Sequence, residues 1–194
     1  MQGADVLRAI VFGAVLALVT RYCRHLPGDF DWLQRVGVPW LGVAFAAGIG
    51  IRRERQGAAL GSLALATATL VYYADALLHG VYGYSPLGIG WLAVAVPGGA
   101  VFGALGAAWS NGRLRIAIAA LMSACFAGEA LLFARFADPV AAPYLMATAA
   151  LLPVVMLRGS RARLRAVALS VPLVAATVVA EASVFVATGY LIRA

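Results

Sequence analysis

The chain has 194 residues, of which 63% are hydrophobic and only 12% are charged, and its formal net charge is +7. A soluble domain needs about 25% charged residues to cover its surface, so this composition excludes an ordinary soluble protein. Repeated apolar runs of about 20 residues instead predict an all-α membrane protein, with a single transmembrane domain over residues 1–194.

Seven apolar segments follow one another along the chain, which predicts a polytopic bundle of seven transmembrane helices. Segments one, two and six are short, so a six-helix bundle with segment one lying on the membrane surface is the alternative. In chain order the segments span about Ala4–Val19, Val36–Ile51, Gly57–Leu78, Ile89–Trp109, Leu114–Phe136, Tyr144–Leu157 and Ala166–Leu191.

The basic residues, all fifteen of them arginines, alternate between the loops. The loops after segments two, four and six hold three, two and four arginines, whereas those after segments three and five hold none. By the positive-inside rule the arginine-rich loops are cytoplasmic, which places the N-terminus inside and the C-terminus outside. The connector after segment one, with Arg21, Arg24 and Arg35, fits this orientation less well. High Ala and Gly content without lysine indicates a bacterial source, and hence the bacterial cytoplasmic (inner) membrane.

Other classes of protein have little support in the sequence. Cys23 and Cys125 are far apart and lack CxxC spacing, which predicts two unpaired thiols. The first segment lacks a cleavage site before a soluble region, so no cleaved signal peptide is expected. No basic patch with interleaved aromatic residues lies outside the apolar segments, so we expect no nucleic-acid partner.

Three carboxylic acids interrupt the apolar segments: Asp75, Glu129 and Glu181. An ionisable side chain at membrane depth costs about 2.5–3.5 kcal/mol on insertion scales, which makes each acid a candidate functional residue. Counting along the helices puts Asp75 about 27 Å, and each glutamate roughly 22 Å, from the cytoplasmic end of its segment. Against a hydrocarbon core about 30 Å thick, all three reach similar depth in the outer half. We therefore predict that they face one shared chamber.

Aromatic residues accompany the acids. Tyr72, Asp75 and His79 share one helical face because they are three and four residues apart. The predicted substrate-binding residues are Tyr72, Tyr73, Trp40, Trp91, Phe126, Phe133, Phe185 and His79.

Structural roles are the alternatives for these residues. Asp75 could pair with His79 or reach the interface, and Glu129 and Glu181 could hydrogen-bond across helices. Trp91 could be one of the aromatic residues that favour the membrane interface.

A carboxyl group buried among apolar groups can keep its proton near neutral pH and then acts as a Brønsted acid. Aromatic faces attract cations. An acid among aromatic rings in a dry pocket is what proton-initiated polyene cyclisation requires, because the rings stabilise the carbocation and the exclusion of water prevents early quenching. No DDxxD or DxDD motif is present, so ionisation of a diphosphate by magnesium is not supported. We expect neither a metal nor another cofactor.

The chain resembles the small integral-membrane terpene cyclases of bacterial indole-sesquiterpene pathways. The resemblance rests on the number of segments, the chain length and the acids Glu129, Glu181 and Asp75, the last of which lies within Tyr72-Tyr73-Ala74-Asp75. The chain resembles the fungal meroterpenoid cyclases more distantly. The resemblance implies cofactor-free cyclisation of a farnesyl-bearing, lipophilic isoprenoid substrate. One acid would donate the proton, and another would orient it or act as the final base.

Two other functions stay open at this point. Membrane carboxylates also serve transporters, and the substrate-binding subunits of vitamin-uptake transporters have similar length. Those subunits usually have six helices with both ends inside, which conflicts with the predicted topology. The third possibility is a membrane scaffold without chemistry. The sequence does not identify protein partners beyond contact with membrane lipid.

Overall fold

The computed structural model describes residues 2–25, 32, 36–80, 86–137 and 139–187. These residues form seven helices, joined in part by a 3-10 turn at Cys23–His25 and a π-helical turn at Phe133–Ala137, and the described ranges contain no strand. The helices are α1 Gly3–Tyr22, α2 Val38–Gly48, α3 Glu54–Leu78, α4 Pro86–Ser110, α5 Arg115–Leu132, α6 Ala141–Met156 and α7 Ser160–Ala187. The predicted all-α class and the number of helices are confirmed.

Five of these helices, α1, α3, α4, α5 and α7, are long and apolar enough to cross a membrane. Helices α2 and α6 are apolar but shorter, with 11 and 16 residues. A helix needs about 20 residues to span the hydrocarbon core perpendicular to its plane. The fold therefore indicates a membrane protein, while the prediction of seven crossings stays a prediction.

The helix ends differ from the predicted segments in a systematic way. Helix α7 begins at Ser160, so Arg161, Arg163 and Arg165 lie in its first turns and not in a loop. Helix α3 likewise begins at Glu54 and includes Arg55. The apolar pattern marks only the part of a helix that suits lipid, whereas the helix itself extends into the interface, where arginine side chains can reach water.

The chain divides into two compact units, Met1–Arg113 and Leu114–Ala194, here called unit 1 and unit 2. Unit 1 contains α1 to α4, and unit 2 contains α5 to α7. The single transmembrane domain over residues 1–194 stays a prediction.

Unit 1 is held together by glycines where α3 meets α4. A Cβ atom added to Gly61 would lie 2.7 Å from the Cα of Gly103 and would also collide with the carbonyl oxygen of Gly99. Gly57 faces the carbonyl of Gly103 in the same way. Because only hydrogen atoms stand between the two backbones, the helices approach closely, as small residues allow in membranes. Gly106 likewise packs against the backbone of Phe45 on α2, whereas an atom added to Gly98 would come within 4 Å of Leu41 alone among the described residues.

Unit 2 is organised around α5, most of whose residues are buried, whereas most of α7 is exposed. Polar side chains join the helices. The hydroxyl of Ser123 on α5 donates to the carbonyl of Ala149 on α6 at 2.5 Å. The hydroxyl of Thr177 on α7 is shared between the carbonyl of Ala124 on α5 at 3.0 Å and that of Val174 in its own helix at 2.9 Å. Gly128 makes room for Thr177 one turn later. These contacts fix the register of α5 against α7.

Candidate functional site

Asp75, in the last turns of α3, forms an ion pair with Arg21 in the last turn of α1. The Nε atom of Arg21 donates to Oδ2 of Asp75 at 2.7 Å. The Arg21 side chain is 2% exposed and that of Asp75 is 16% exposed, so the pair is largely withdrawn from solvent. The sequence analysis assigned Arg21 to the connector after segment one, and that assignment was wrong because α1 continues to Tyr22.

The burial of Arg21 also weakens the topological conflict. An arginine that lies inside the fold and is neutralised by Asp75 is not a free loop charge, and the positive-inside rule counts loop charges. Arg24 and Arg35 remain in the connector by sequence; Arg35 is outside the described residues, as is the side chain of Arg24.

His79 contacts Asp75 from the next turn of α3. Its Nδ1 atom lies 3.3 Å from Oδ1 of Asp75 and 2.8 Å from the backbone carbonyl oxygen of the same residue. This confirms that Asp75 and His79 share a helical face. It also shows the Asp75–His79 contact that the sequence analysis gave as an alternative, structural role for Asp75. The His79 side chain is 55% exposed, so the pair opens towards solvent or lipid head groups on that side.

Three predicted aromatic residues cluster beside this ion pair in unit 1. The rings of Trp40 and Tyr72 meet edge to face with centroids 6.0 Å apart, and those of Tyr72 and Tyr73 are 5.5 Å apart. The Tyr73 ring also packs against the backbone of Gly88 near the start of α4. Each ring pair has the geometry that aromatic side chains prefer. Unit 1 thus joins Trp40, Tyr72 and Tyr73 to the polar group around Asp75.

Glu129 is the most deeply buried carboxylic acid among the described residues, at 2% exposure. It lies in α5 one turn before the π-helical turn Phe133–Ala137. Phe126 and Phe133 precede and follow it at helical spacing on the same face; Phe126 is half-buried and Phe133 is 3% exposed. A π-helical turn inside a helix is frequent at functional sites, since it changes the direction of the side chains that follow.

Glu181 on α7 lies near Glu129, close enough for the two carboxylates to repel each other. Its Oε2 atom is buried and has no hydrogen-bond partner. Cys125, one turn before Glu129 on α5, is buried and also lies within reach of both carboxylates. Thr177, which fixes the register between α5 and α7, lies one turn before Glu181. The geometry therefore brings the two glutamates together as predicted from their depth.

A pair of buried carboxyl groups cannot hold two negative charges cheaply, since like charges at short distance in an apolar setting repel strongly. The stable arrangement carries one proton, or a cation, between them. Asp75 is in the opposite situation, because its carboxylate is paired with the guanidinium group of Arg21. An ionised, paired carboxylate is a poor proton donor, so the two units hold chemically different acids.

The remaining predicted site residues are only partly located. Trp91 is half-buried in α4. Phe185 belongs to α7, but its side chain is outside the described residues. That Asp75 shares a chamber with Glu129 and Glu181 stays a prediction.

Sequence reasoning missed Arg21 and did not assign Thr177 its role between helices. In the predicted topology, Arg21 follows the end of segment one on the side of the membrane where segment three carries Asp75, and this shared level is the signal that could have pointed to the pair. Cys23 and Cys125 are both free and buried, which confirms the predicted unpaired thiols. In the part of the chain that the structure describes, no three His, Cys, Asp or Glu side chains cluster as metal ligands would.

The described residues form an all-helical protein, and its apolar helices indicate a membrane location. Unit 1 carries a buried ion pair, and unit 2 carries a buried carboxyl pair. A family model described as a family of unknown function (DUF6518) matches residues 2–186. The chain belongs to that family. Comparisons with curated proteins and with solved structures gave no match.

Proposed function

We propose that the protein is an integral-membrane terpene cyclase in which Glu129 and Glu181 start and end a proton-initiated cyclisation. The observation that carries this proposal is the proximity of the two carboxyl groups on α5 and α7, with Glu129 2% exposed and Oε2 of Glu181 buried and unpartnered. Two carboxyl groups that share one proton provide a Brønsted acid and a conjugate base in the same place.

The chemistry balances without an oxidant, a metal or a diphosphate leaving group. The protonated carboxyl group transfers its proton to a terminal alkene carbon or to an epoxide oxygen, and a carbocation forms. Internal alkenes attack this cation in turn and close the rings, and the other carboxylate removes a proton from the final cation. The product is an isomer of the substrate, and the carboxyl pair again holds one proton.

The surroundings of Glu129 support this role. Phe126 and Phe133 lie on the same helical face as Glu129, and aromatic faces stabilise cations. The low exposure of Glu129 and Phe133 supports the exclusion of water, which would otherwise capture the cation. We propose a farnesyl-type or prenylated aromatic molecule as the substrate, because a long isoprenoid chain reaches such a site from the lipid phase. Asp75, already paired with Arg21, has in this proposal an orienting role and not that of the proton donor.

The location proposed for the protein is the bacterial cytoplasmic (inner) membrane, with the N-terminus inside and the C-terminus outside. The exposed arginines of the α2–α3, α4–α5 and α6–α7 connections support this orientation. The burial of Arg21 supports it as well, since it lowers the number of free charges on the outer side.

Turnover by the purified full-length protein tests the activity. The protein in detergent is incubated with a farnesylated aromatic compound and with its terminal epoxide, and we expect a cyclised product of unchanged mass. In deuterium oxide, the product formed by protonation of a terminal alkene gains one deuterium on carbon, since the initiating proton comes from an exchangeable carboxyl group. Glu129→Gln and Glu181→Gln each remove a carboxyl group while keeping its shape, and we expect turnover to fall about 100- to 10,000-fold.

Glu54→Gln is the matched control, because Glu54 is 47% exposed at the start of α3 and pairs only with the exposed Arg113. This variant should keep full turnover. Full turnover in both Glu129→Gln and Glu181→Gln, with unchanged thermal stability, would remove the carboxyl pair from the mechanism.

The same carboxyl pair favours a second function, a proton-coupled membrane transporter. A proton held between Glu129 and Glu181 is what a coupling site requires. In that case Glu181→Gln would abolish solute accumulation driven by a proton gradient in proteoliposomes, and no isomerised product would form.

A further inference from the structure

The guanidinium group of Arg21 in unit 1 has a donor that the fold does not use. Its Nε atom donates to Asp75, but its Nη2 atom is buried and has no hydrogen-bond partner among the residues that the structure describes. The side chain is 2% exposed and always charged, so the orphaned N–H group cannot turn to water or lose its proton. A buried donor left without an acceptor is unfavourable, and it marks a place where a bound molecule supplies one.

The charges around Arg21 restrict what that acceptor is. Asp75 already neutralises Arg21, and its second oxygen, Oδ1, is directed to His79 at 3.3 Å. In the described part of the chain, the other basic group in contact with this pair is the exposed His79, so an anionic ligand would put a second negative charge beside Asp75 in a site withdrawn from water, which is costly. The acceptor that fits is therefore a neutral oxygen, such as a carbonyl or a phenolic oxygen.

The neighbours of this donor restrict the rest of the ligand. Tyr72 lies on the same face of α3 as Asp75, one turn earlier, and the Trp40 ring meets Tyr72 with centroids 6.0 Å apart. Trp40 and Tyr72 are both half-buried, and Asp75 is 16% exposed, so each of these three side chains keeps some accessible surface. Aromatic side chains prefer to pack against other planar rings. A flat ring that carries the acceptor oxygen satisfies both requirements.

We propose that unit 1 holds a binding site for a lipid-soluble, neutral ring compound whose carbonyl or phenolic oxygen accepts a hydrogen bond from Nη2 of Arg21 and whose ring packs against Trp40 and Tyr72. The side chains that cover Nη2 move aside when the ligand enters. This site depends only on residues of α1, α2 and α3, and its existence does not rest on the cyclase activity.

Calorimetric titration of the full-length protein in nanodiscs tests the site with two probes. Decylubiquinone is a neutral ring with carbonyl oxygens and an alkyl tail, and decylbenzene has the same tail on a ring without oxygen. We expect saturable binding of decylubiquinone and only unsaturable partitioning of decylbenzene. The double variant Arg21→Met/Asp75→Leu removes the donor without leaving an unpaired charge, and we expect it to weaken binding about tenfold or more.

Arg113→Gln is the control in the same unit. The Arg113 side chain is 73% exposed and pairs with Glu54 at 3.4 Å. This variant should bind decylubiquinone as the unmodified protein does.

Two results would overturn the proposal: saturable binding of both probes with equal affinity, or unchanged affinity for decylubiquinone in the double variant. Either would mean that a water molecule satisfies Nη2. If the double variant does not fold, Trp40→Leu and Tyr72→Leu decide the matter. Both should weaken binding severalfold, and unchanged affinity in both would reject the site.

Discussion

Both units place ionisable side chains between two of their long helices, but they combine the charges differently. In unit 1 α1 provides Arg21 and α3 provides Asp75, which are joined at 2.7 Å. In unit 2 α5 provides Glu129 and α7 provides Glu181, two acids close enough to repel each other. Asp75 and Glu181 each lie 21 residues after the first residue of their helices.

The two kinds of charge pair have different consequences: the pair in unit 1 affects stability, and the pair in unit 2 affects reactivity. An opposite-charge pair that is withdrawn from water holds two helices together as long as both charges are present, and it has no proton to give. A like-charge pair is tolerable only when it binds a proton or a cation, and that bound species is what chemistry or transport can use. We therefore expect unit 1 to lose stability when one of its charges is removed, and unit 2 to lose activity.

Asp75→Asn should give the largest effect, a loss of about 3–5 kcal/mol in the free energy of unfolding. The substitution leaves Arg21 buried with its charge uncompensated, and an arginine cannot lose its proton to relieve the cost. Arg21→Met should cost less, since the orphaned carboxyl of Asp75 can take up a proton. Unfolding in detergent, followed by circular dichroism, measures both.

The double variant Arg21→Met/Asp75→Leu is the control for this prediction, because it replaces both charges by apolar groups. It should recover most of the lost stability, since replacing a whole buried ion pair is often neutral or better. A double variant as unstable as Asp75→Asn would mean that the shape of the site, and not its charge, holds α1 to α3.

The second comparison concerns the glycines of the two units. Gly61→Ala in unit 1 should lower the free energy of unfolding by about 1–3 kcal/mol. The added methyl group meets the backbone of Gly99 and Gly103, which cannot rotate away. Gly128→Ala in unit 2 should cost less, because its nearest neighbour is the hydroxyl of Thr177, and a side chain can turn. Denaturant titrations of the two variants give the two costs.

Gly42→Ala on α2 is the control for the glycine series, since nothing lies within 4 Å of the position of its added methyl group. It should be neutral or slightly stabilising, because alanine favours helix more than glycine does. Equal costs for Gly61→Ala and Gly128→Ala would contradict the distinction between backbone and side-chain neighbours.

The sequence predicted the helices better than it predicted their partners. The apolar runs of the sequence located all seven helices, of which five are long and apolar enough to cross a membrane. Depth counting placed Glu129 near Glu181, since both helices run in the same predicted direction. The Arg21–Asp75 pair was missed because an arginine that follows an apolar run looks the same whether it turns inward or reaches the interface. Packing decides which face of a helix contacts which neighbouring helix, and this choice cannot be read from a single sequence.

Glu129→Gln should change stability with the opposite sign to Asp75→Asn. Replacing one member of the carboxyl pair by a neutral side chain of the same shape removes the need to bind a proton or a cation between them, so we expect unfolding to require about 1 kcal/mol more free energy. The same denaturant titration measures it, and Glu54→Gln at the exposed end of α3 serves again as the control. A loss of 3 kcal/mol or more would show that Glu129 is a structural hydrogen-bonding group, which was the alternative considered for it.

The smallest expected effect concerns the contact that sets the carboxyl pair in place. Thr177→Val keeps the shape of the side chain but removes the hydroxyl that donates to Ala124 on α5, and we expect a loss of about 0.6 kcal/mol, the average for such bonds in membranes. Thr148→Val is the matched control, because the hydroxyl of Thr148 bonds only within its own helix, to the carbonyl of Tyr144. If the bond between helices aligns Glu181 with Glu129, Thr177→Val should lower the proposed turnover more than its small cost in stability explains, whereas Thr148→Val should leave turnover unchanged. Equal turnover in the two variants would mean that packing around Gly128 alone sets the register of the carboxyl pair.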